Sequence, residues 1–208
     1  MSKTITRLFD DYTDATAAVR DLEALGISLD DISIVANNAH GHHGDGDRDA
    51  TDVDDHGDVS RGTSTGALLG GAGGLLAGLG LLAIPGLGPI VAAGWLAATA
   101  VGAGIGAAGG AATGSLVGAL KNSGHTEEEA NVYSEGVRRG GTLVSARVAD
   151  DDTAAEAALD RNRSVDATTR GAAYRQSGWT GFDADAPAYT SDEVDRERAT
   201  YASTSTRY

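Results

Sequence analysis

GTSTGALLGGAGGLLAGLGLLAIPGLGPIVAAGWLAATAVGAGIGAAGGAATGSLVGAL, Gly62 to Leu120, is a run of 59 residues without one charged side chain. Its first part places glycine at Gly62, Gly66, Gly70, Gly74 and Gly78, and its last part at Gly102, Gly106, Gly110, Gly114 and Gly118. On a helix, residues four apart share one face. Each ladder would bare one stripe of a helix so that a second backbone could approach closely, as small residues do between membrane helices. Ile84-Pro85-Gly86-Leu87-Gly88-Pro89 interrupts the run with two prolines and two glycines and reads as a turn. The expectation is a helical hairpin with arms over 62–84 and 90–120. The first arm would span roughly 34 Å, enough for a hydrocarbon core of about 30 Å.

Glycine costs about 1 kcal/mol per residue in an exposed helix. Eighteen glycines between Gly62 and Leu120 therefore ask for lipid or a packing partner. Leu68, Leu75, Leu79, Leu82, Ile90, Trp95 and Leu96 would face that lipid or neighbour. Arg61 and Lys121 flank the run on one side, which would put both termini in the cytoplasm. Membrane association with homo-oligomerisation through the ladders is the expected arrangement; a soluble cytoplasmic oligomer is the alternative.

The flanking sequence has the periodicity of a small α/β domain. Thr4 to Phe9 reads as a strand. A helix follows from Asp14 to Leu25, with Thr13 as N-cap, Val19, Leu22 and Leu25 as its apolar face and Gly26 as its stop. Ile32 to Ala36 is a second strand. After the uncharged run, Thr126-Glu127-Glu128-Glu129 is a capping box. Ala130, Tyr133 and Val137 continue that helix to Gly140. Leu143 to Val148 reads as a strand, Thr153 onward as a short helix, Ser164 to Thr168 as a weak edge strand, and Asp192 to Thr200 as a terminal helix. The fold class expected is α+β: a ferredoxin-like split βαβ domain interrupted by the long apolar two-helix hairpin. The organisation is 1–36, first half of the domain; 37–61, an acidic loop; 62–120, the hairpin; 121–170, the second half; 171–208, a polar and partly disordered tail.

Composition narrows the function. Sixteen basic against thirty acidic residues give a net charge of -14, which excludes a phosphate-backbone binder with its basic stripe. Absence of cysteine excludes disulfides and thiolate metal sites. No export signal is expected, since Met1 to Asp10 lacks a long apolar core. The loop holds His40, His42, His43 and His56 among Asp45, Asp47, Asp49 and Asp52. These are the candidate metal ligands. Laid on the calcium-loop template from Asp45, the sixth position is Ala50 where glycine is needed, and the twelfth is His56 where glutamate is needed. The loop therefore reads as a solvated acidic segment, with metal or pH sensing as the rival.

Gly104-Ile105-Gly106-Ala107-Ala108-Gly109 matches a dinucleotide fingerprint as a string, but no strand precedes it and no acidic residue follows at the right distance. Ser60, Ser64 and Ser115 have no nucleophile-elbow context. No catalytic residue and no cofactor is expected. Trp179 and Phe182 suit a role covering the open face of the sheet, with partner docking as the alternative.

The strand ending Asp30-Asp31-Ile32-Ser33-Ile34-Val35-Ala36, the Gly/Ala-rich run, the helix end Tyr133-Ser134-Glu135-Gly136-Val137-Arg138-Arg139-Gly140-Gly141 and the segment Gly178-Trp179-Thr180-Gly181-Phe182-Asp183 together carry a resemblance. In these residues the chain, roughly from Ile5 to Asp183, resembles the bacterial general-stress or heat-induced stress protein domain family. That resemblance implies a small non-enzymatic stress-associated protein and supplies no catalytic residues. The acidic histidine loop is longer than such proteins usually carry.

Overall fold

The structure is a computed structural model, and it describes residues 2–41, 80–84, 86–99, 115–150 and 152–202. Strand β1 (Ser2–Phe9) leads into helix α1 (Tyr12–Ala24), a 3-10 turn (Leu29–Asp31) and β2 (Ile32–Asn37). Strands β3 (Gly80–Ile84) and β4 (Gly88–Gly94) follow, and a helical segment begins at Trp95 and is described through 99. Then come α2 (Leu116–Asn122), α3 (Glu127–Arg138), β5 (Thr142–Ala149), α4 (Thr153–Arg161), α5 (Ala167–Gln176) and α6 (Ser191–Ala202).

The five strands form one antiparallel sheet in the order β1-β5-β2-β4-β3. β1 and β2 both run antiparallel to β5, so they are parallel to each other, with α1 as their crossover. The far side of β1 meets the chain again at Val165, whose N–H and C=O exchange hydrogen bonds with Leu8 at 2.7 and 3.0 Å.

Period-two alternation sorts the strands onto two faces. Ile5, Phe9, Ile32, Ile34, Val144, Ala146 and Val148 pack under α1 and α4 through Val19, Leu22, Ala155 and Leu159. Leu8, Val35, Ile90 and Leu143 point the other way, under α2, α3 and α5 through Leu116, Leu120, Tyr133, Val137 and Tyr174. The result is three layers, helices on both faces of the sheet. Burying each large apolar side chain contributes about 1.5–3 kcal/mol. The capping box of α3 forms as the sequence requires, Glu129 N–H donating to Thr126 and Thr126 N–H donating to the Glu129 carboxylate.

Several expectations are corrected. Gly80–Ile84 and Gly88–Gly94 are strands, so the two helical arms do not run through them. Strand β2 has an open edge beyond β5, and β4 satisfies it through the pairs Ser33 with Gly94 to Asn37 with Ile90. Ile90 and Val91 are β-branched and fully buried there. Among the described residues no helix is long and apolar enough to cross a membrane. This overturns the membrane-spanning expectation: α2 has seven residues, about 10 Å of rise. The N-cap of α1 is Asp11, whose carboxylate accepts from Thr13 N–H at 2.7 Å, so the helix starts two residues earlier than Thr13 suggested. Ser164 to Thr168 contributes a single bridge at Val165 before α5 begins.

The C-terminal segment is more closely packed than its composition suggests. Val194 is fully buried. Trp179, Phe182 and Tyr201 lie against the core of the α3 face, in the covering role expected of Trp179 and Phe182. Arg198 donates to Gly140 O at 2.7 Å, and Arg138 to Pro187 O at 3.1 Å.

Candidate functional site

Three groups of polar side chains stand out: one sealed in the core, one clasping the C-terminal segment, one open. The sealed group lies between β1, β5 and α3. Thr6 Oγ1 is 2.7 Å from His125 Nε2 and 2.9 Å from Ser145 Oγ, and the Tyr133 hydroxyl donates to Thr6 O at 2.8 Å. Burial lowers the pKa of His125, partly opposed by Glu129, whose carboxylate is 3.9 Å from Nδ1. Thr6 shares one hydrogen bond with the imidazole, its donor set by the ring tautomer, and a second with the Ser145 hydroxyl. On paper this is a hydroxyl, an imidazole and a carboxylate in line. In space Thr6 is 1% exposed and Ser145 is fully buried, so no substrate can reach the hydroxyl. The group satisfies buried polar atoms. The same burial pushes the Tyr133 phenol up to about 12.

The clasp gathers at the C-terminal end of α3. Glu135 accepts from Arg139 Nε at 2.7 Å and lies 3.5 Å from Arg138 Nη1. Arg139 also reaches Glu197 of α6 at 2.8 Å and stacks over Tyr174 at 4.5 Å. Arg138 stacks over Tyr189 at 4.8 Å. Nearby, the buried Arg170 binds Asp10 at 2.7 Å and lies over Tyr201. The two carboxylates beside Arg139 hold its guanidinium pKa above the ordinary value, against the opposing effect of burial. Each of these charges has an opposite partner, and through Arg139 and Glu197 they hold α6 to the C-terminal end of α3.

The open group is a cleft of about 230 Å³ lined by Thr4, Trp95, Thr99, Ala119, Asn122, Ser123 and Arg147. Thr4 and Arg147 are neighbours in the β1–β5 register and share the α2 side of the sheet. Gly94 ends β4 and turns the chain so that Trp95 opens the next helical segment beside them. The Trp95 indole N–H donates to Asp31 O at 3.2 Å, which fixes the ring, and the Arg147 guanidinium lies 4.0 Å above it. Arg147 is exposed, and among the described residues it has no carboxylate partner. Ser123 donates its hydroxyl to Leu120 O, and Thr99 donates to Trp95 O. Among the described residues that line the cleft there is no Asp or Glu.

A second cleft of about 360 Å³ lies between α3 and α5. Among the described residues that line it the only cation, Arg175, pairs with Glu128, and Glu129 stands beside it. The two carboxylates there disfavour an anion.

The residues singled out from sequence fare unevenly. Gly62, Gly66, Gly70, Gly74, Gly78, Gly102, Gly106, Gly110 and Gly114 lie outside the described residues, as do Ser60, Ser64 and the Gly104–Gly109 string. Gly118 lies inside α2, where its N–H donates to Ser115, the N-cap. His42, His43, Asp45, Asp47, Asp49, Asp52 and His56 also lie outside. His40 is described and pairs with Asp195 of α6 at 3.2 Å. Among the described residues no group of three His, Asp or Glu side chains could hold a metal ion. Sequence reasoning missed Arg147 and the clasp. A lone arginine in a strand carries no motif, and its partner Trp95 sits 52 residues upstream in the apolar run.

Comparison of the chain with family models, with curated proteins and with solved structures found no match. The fold and the clefts therefore define it as a mixed α/β protein with a five-stranded antiparallel sheet, and the functional reading rests on its own residues.

Proposed function

We propose that this chain is a non-enzymatic binding module of the bacterial stress response. The stress assignment rests on the resemblance in the β2, α3 and Trp179–Phe182 segments. The architecture is read as a ferredoxin-like split βαβ sheet: β1-α1-β2 encloses β5, Val165 stands where a fourth strand would lie outside β1, and the β3–β4 pair extends the opposite edge.

One observation carries the non-enzymatic part. The aligned hydroxyl and imidazole of Thr6 and His125 are sealed in the core, while the open cleft holds an arginine and neutral polar groups without a nucleophile and base in contact. That cleft suits binding rather than bond-making. A thermal-shift screen against small metabolites tests it, since a ligand at a hundred times its Kd adds about 2.7 kcal/mol to stability. A screen in which nothing raises the Tm would remove the reading. Unchanged cellular abundance after heat and osmotic shock would remove the stress assignment.

Self-association belongs to the same proposal. Leu81 of β3 is 57% exposed on a strand that no described strand covers on its outer side. An uncharged edge of this kind is a template for a second chain. Leu81→Lys should shift the protein toward monomer in light scattering; an unchanged mass refutes this contact.

A second reading has one observation in its favour. His40 opens the His/Asp loop and pairs with Asp195, so metal capture there would act on the docking of α6. Calorimetric titration of zinc, nickel and calcium into wild type and a variant with His40, His42, His43 and His56 changed to alanine separates it from the first.

A further inference from the structure

We infer that the Arg147–Trp95 cleft is the ligand site of the binding module proposed above, and that its ligand is a small oxyanion carrying a carboxylate or phosphate group. The inference rests on that reading and adds the chemical class.

The chain carries thirty acidic side chains and repels anions as a whole. Among the eleven described arginines seven pair with carboxylates: Arg7 with Asp160, Arg138 with Glu135, Arg139 with Glu135 and Glu197, Arg161 with Asp21, Arg163 with Asp14, Arg170 with Asp10, Arg175 with Glu128. Arg147 is held instead by an aromatic face, 4.0 Å above Trp95. Stacking satisfies the flat faces of the guanidinium and leaves its in-plane N–H donors for a planar or tetrahedral oxyanion. The Thr4 hydroxyl and the Asn122 side-chain amide line the same space, and neither has a hydrogen bond among the described residues. Both can donate to an anion.

One feature of the site opposes an anion. Asn122 and Ser123 lie at the C-terminal end of α2, the negative end of the helix dipole. The last carbonyls there are already engaged: the N–H of Ser123 reaches Ala119 O and Leu120 O, Gly124 reaches Lys121 O, and His125 reaches Leu120 O. A full positive charge in contact outweighs the residual half-charge of a capped helix end. Volume limits the ligand further. About 230 Å³ is below the roughly 300–1,000 Å³ of sites for drug-sized molecules, so a compact anion or the head of a larger one fits.

The test uses Trp95 as reporter. The chain has two tryptophans, so Trp179→Phe leaves Trp95 alone, directly beneath the guanidinium. Inorganic phosphate and succinate are titrated at low salt, with glucose and spermidine as neutral and cationic controls. Calorimetry on the wild-type protein gives the same Kd independently of the Trp179 substitution. Saturable binding of phosphate or succinate is expected, with the stronger of the two naming the head group. Arg147→Gln should weaken it about tenfold or more, and Arg147→Lys should recover only part, because an ammonium lacks the planar fork. Equal anion affinity in wild type and Arg147→Gln would overturn the site. Binding of glucose or spermidine alone would overturn the anion class while leaving the binding module standing. Silence of all four probes by both methods would overturn the anion class, and the screen above then decides the module separately.

Discussion

Replacing Glu135 with glutamine keeps the volume of the side chain and removes one charge from the clasp. Glu135 is 1% exposed and faces two guanidinium groups, Arg139 at 2.7 Å and Arg138 at 3.5 Å, each of whose side chains is only about one-tenth exposed. Removing one partner of a buried pair typically costs about 3–5 kcal/mol, because the remaining charge stays desolvated. Arg139 keeps Glu197 and the face of Tyr174, and glutamine still offers one acceptor oxygen. Those compensations put the expected loss at the lower end, about 3 kcal/mol. With a urea slope of about 2 kcal/mol/M, the unfolding midpoint should fall by roughly 1.5 M. A partly exposed control, Glu156→Gln, breaks the Lys3 pair at 2.7 Å and should cost under about 1 kcal/mol. The double variant Glu135→Gln with Arg139→Gln should be less destabilised than the sum of the single changes, since each change relieves the other's unpaired group. Urea unfolding followed by circular dichroism measures all four. A Glu135→Gln midpoint no lower than that of Glu156→Gln would show that the clasp is solvated in solution and that α6 does not seal it.

Two further outcomes follow from the core. His125 has a folded pKa below its unfolded value of 6.5 because burial disfavours the imidazolium. The unfolded chain therefore binds its proton first as pH falls: stability from this residue is complete above pH 6.5 and declines below it. His125→Gln should flatten the dependence of unfolding free energy on pH below 6.5, and an unaltered slope there would refute the assignment. At the end of β4, Gly94 has φ of +88°, and a Cβ added to it would stand 2.8 Å from Ser33 Cα and closer still to Ile32 O. Gly94→Ala should cost about 2 kcal/mol or more, combining the left-handed penalty with displacement of β2. It should also blunt the Trp95 fluorescence response to any cleft ligand; a midpoint within 0.5 M of wild type by the same urea slope would contradict that geometry.

The local signals in the flanking sequence were readable because each is decided within a few residues. Thr126 and Glu129 close a reciprocal hydrogen-bond pair across one turn, and any chain with that spacing ahead of an apolar periodicity starts a helix there. Ile32, Ile34 and Val35 are β-branched, and every residue of Ile32–Asn37 is buried, as in a strand covered on both faces. The helix Ala167–Gln176 escaped notice because its apolar positions are alanine and one tyrosine, so it has no marked apolar face. The stretch Ile84 to Pro89 reads as a turn and joins β3 to β4, but the segments on either side follow the strand period rather than the helical one. Glycines at intervals of four suit a bared helix stripe, and nothing within 80–94 says that an unpaired strand edge is waiting more than fifty residues upstream, where Asn37 pairs with Ile90 and Ser33 with Gly94.

The sequence by itself determined the acid excess, the absence of thiol chemistry, the β1-α1-β2 opening and the capped helix before β5, because composition and short-range hydrogen bonding need no partner. Tertiary structure alone decided that β4 completes β2, that Glu135 meets Glu197 through a shared arginine, and that Arg147 rests on Trp95. Each of these joins groups tens of residues apart, and their free energy arises from desolvation and geometry that exist only once the layers have packed.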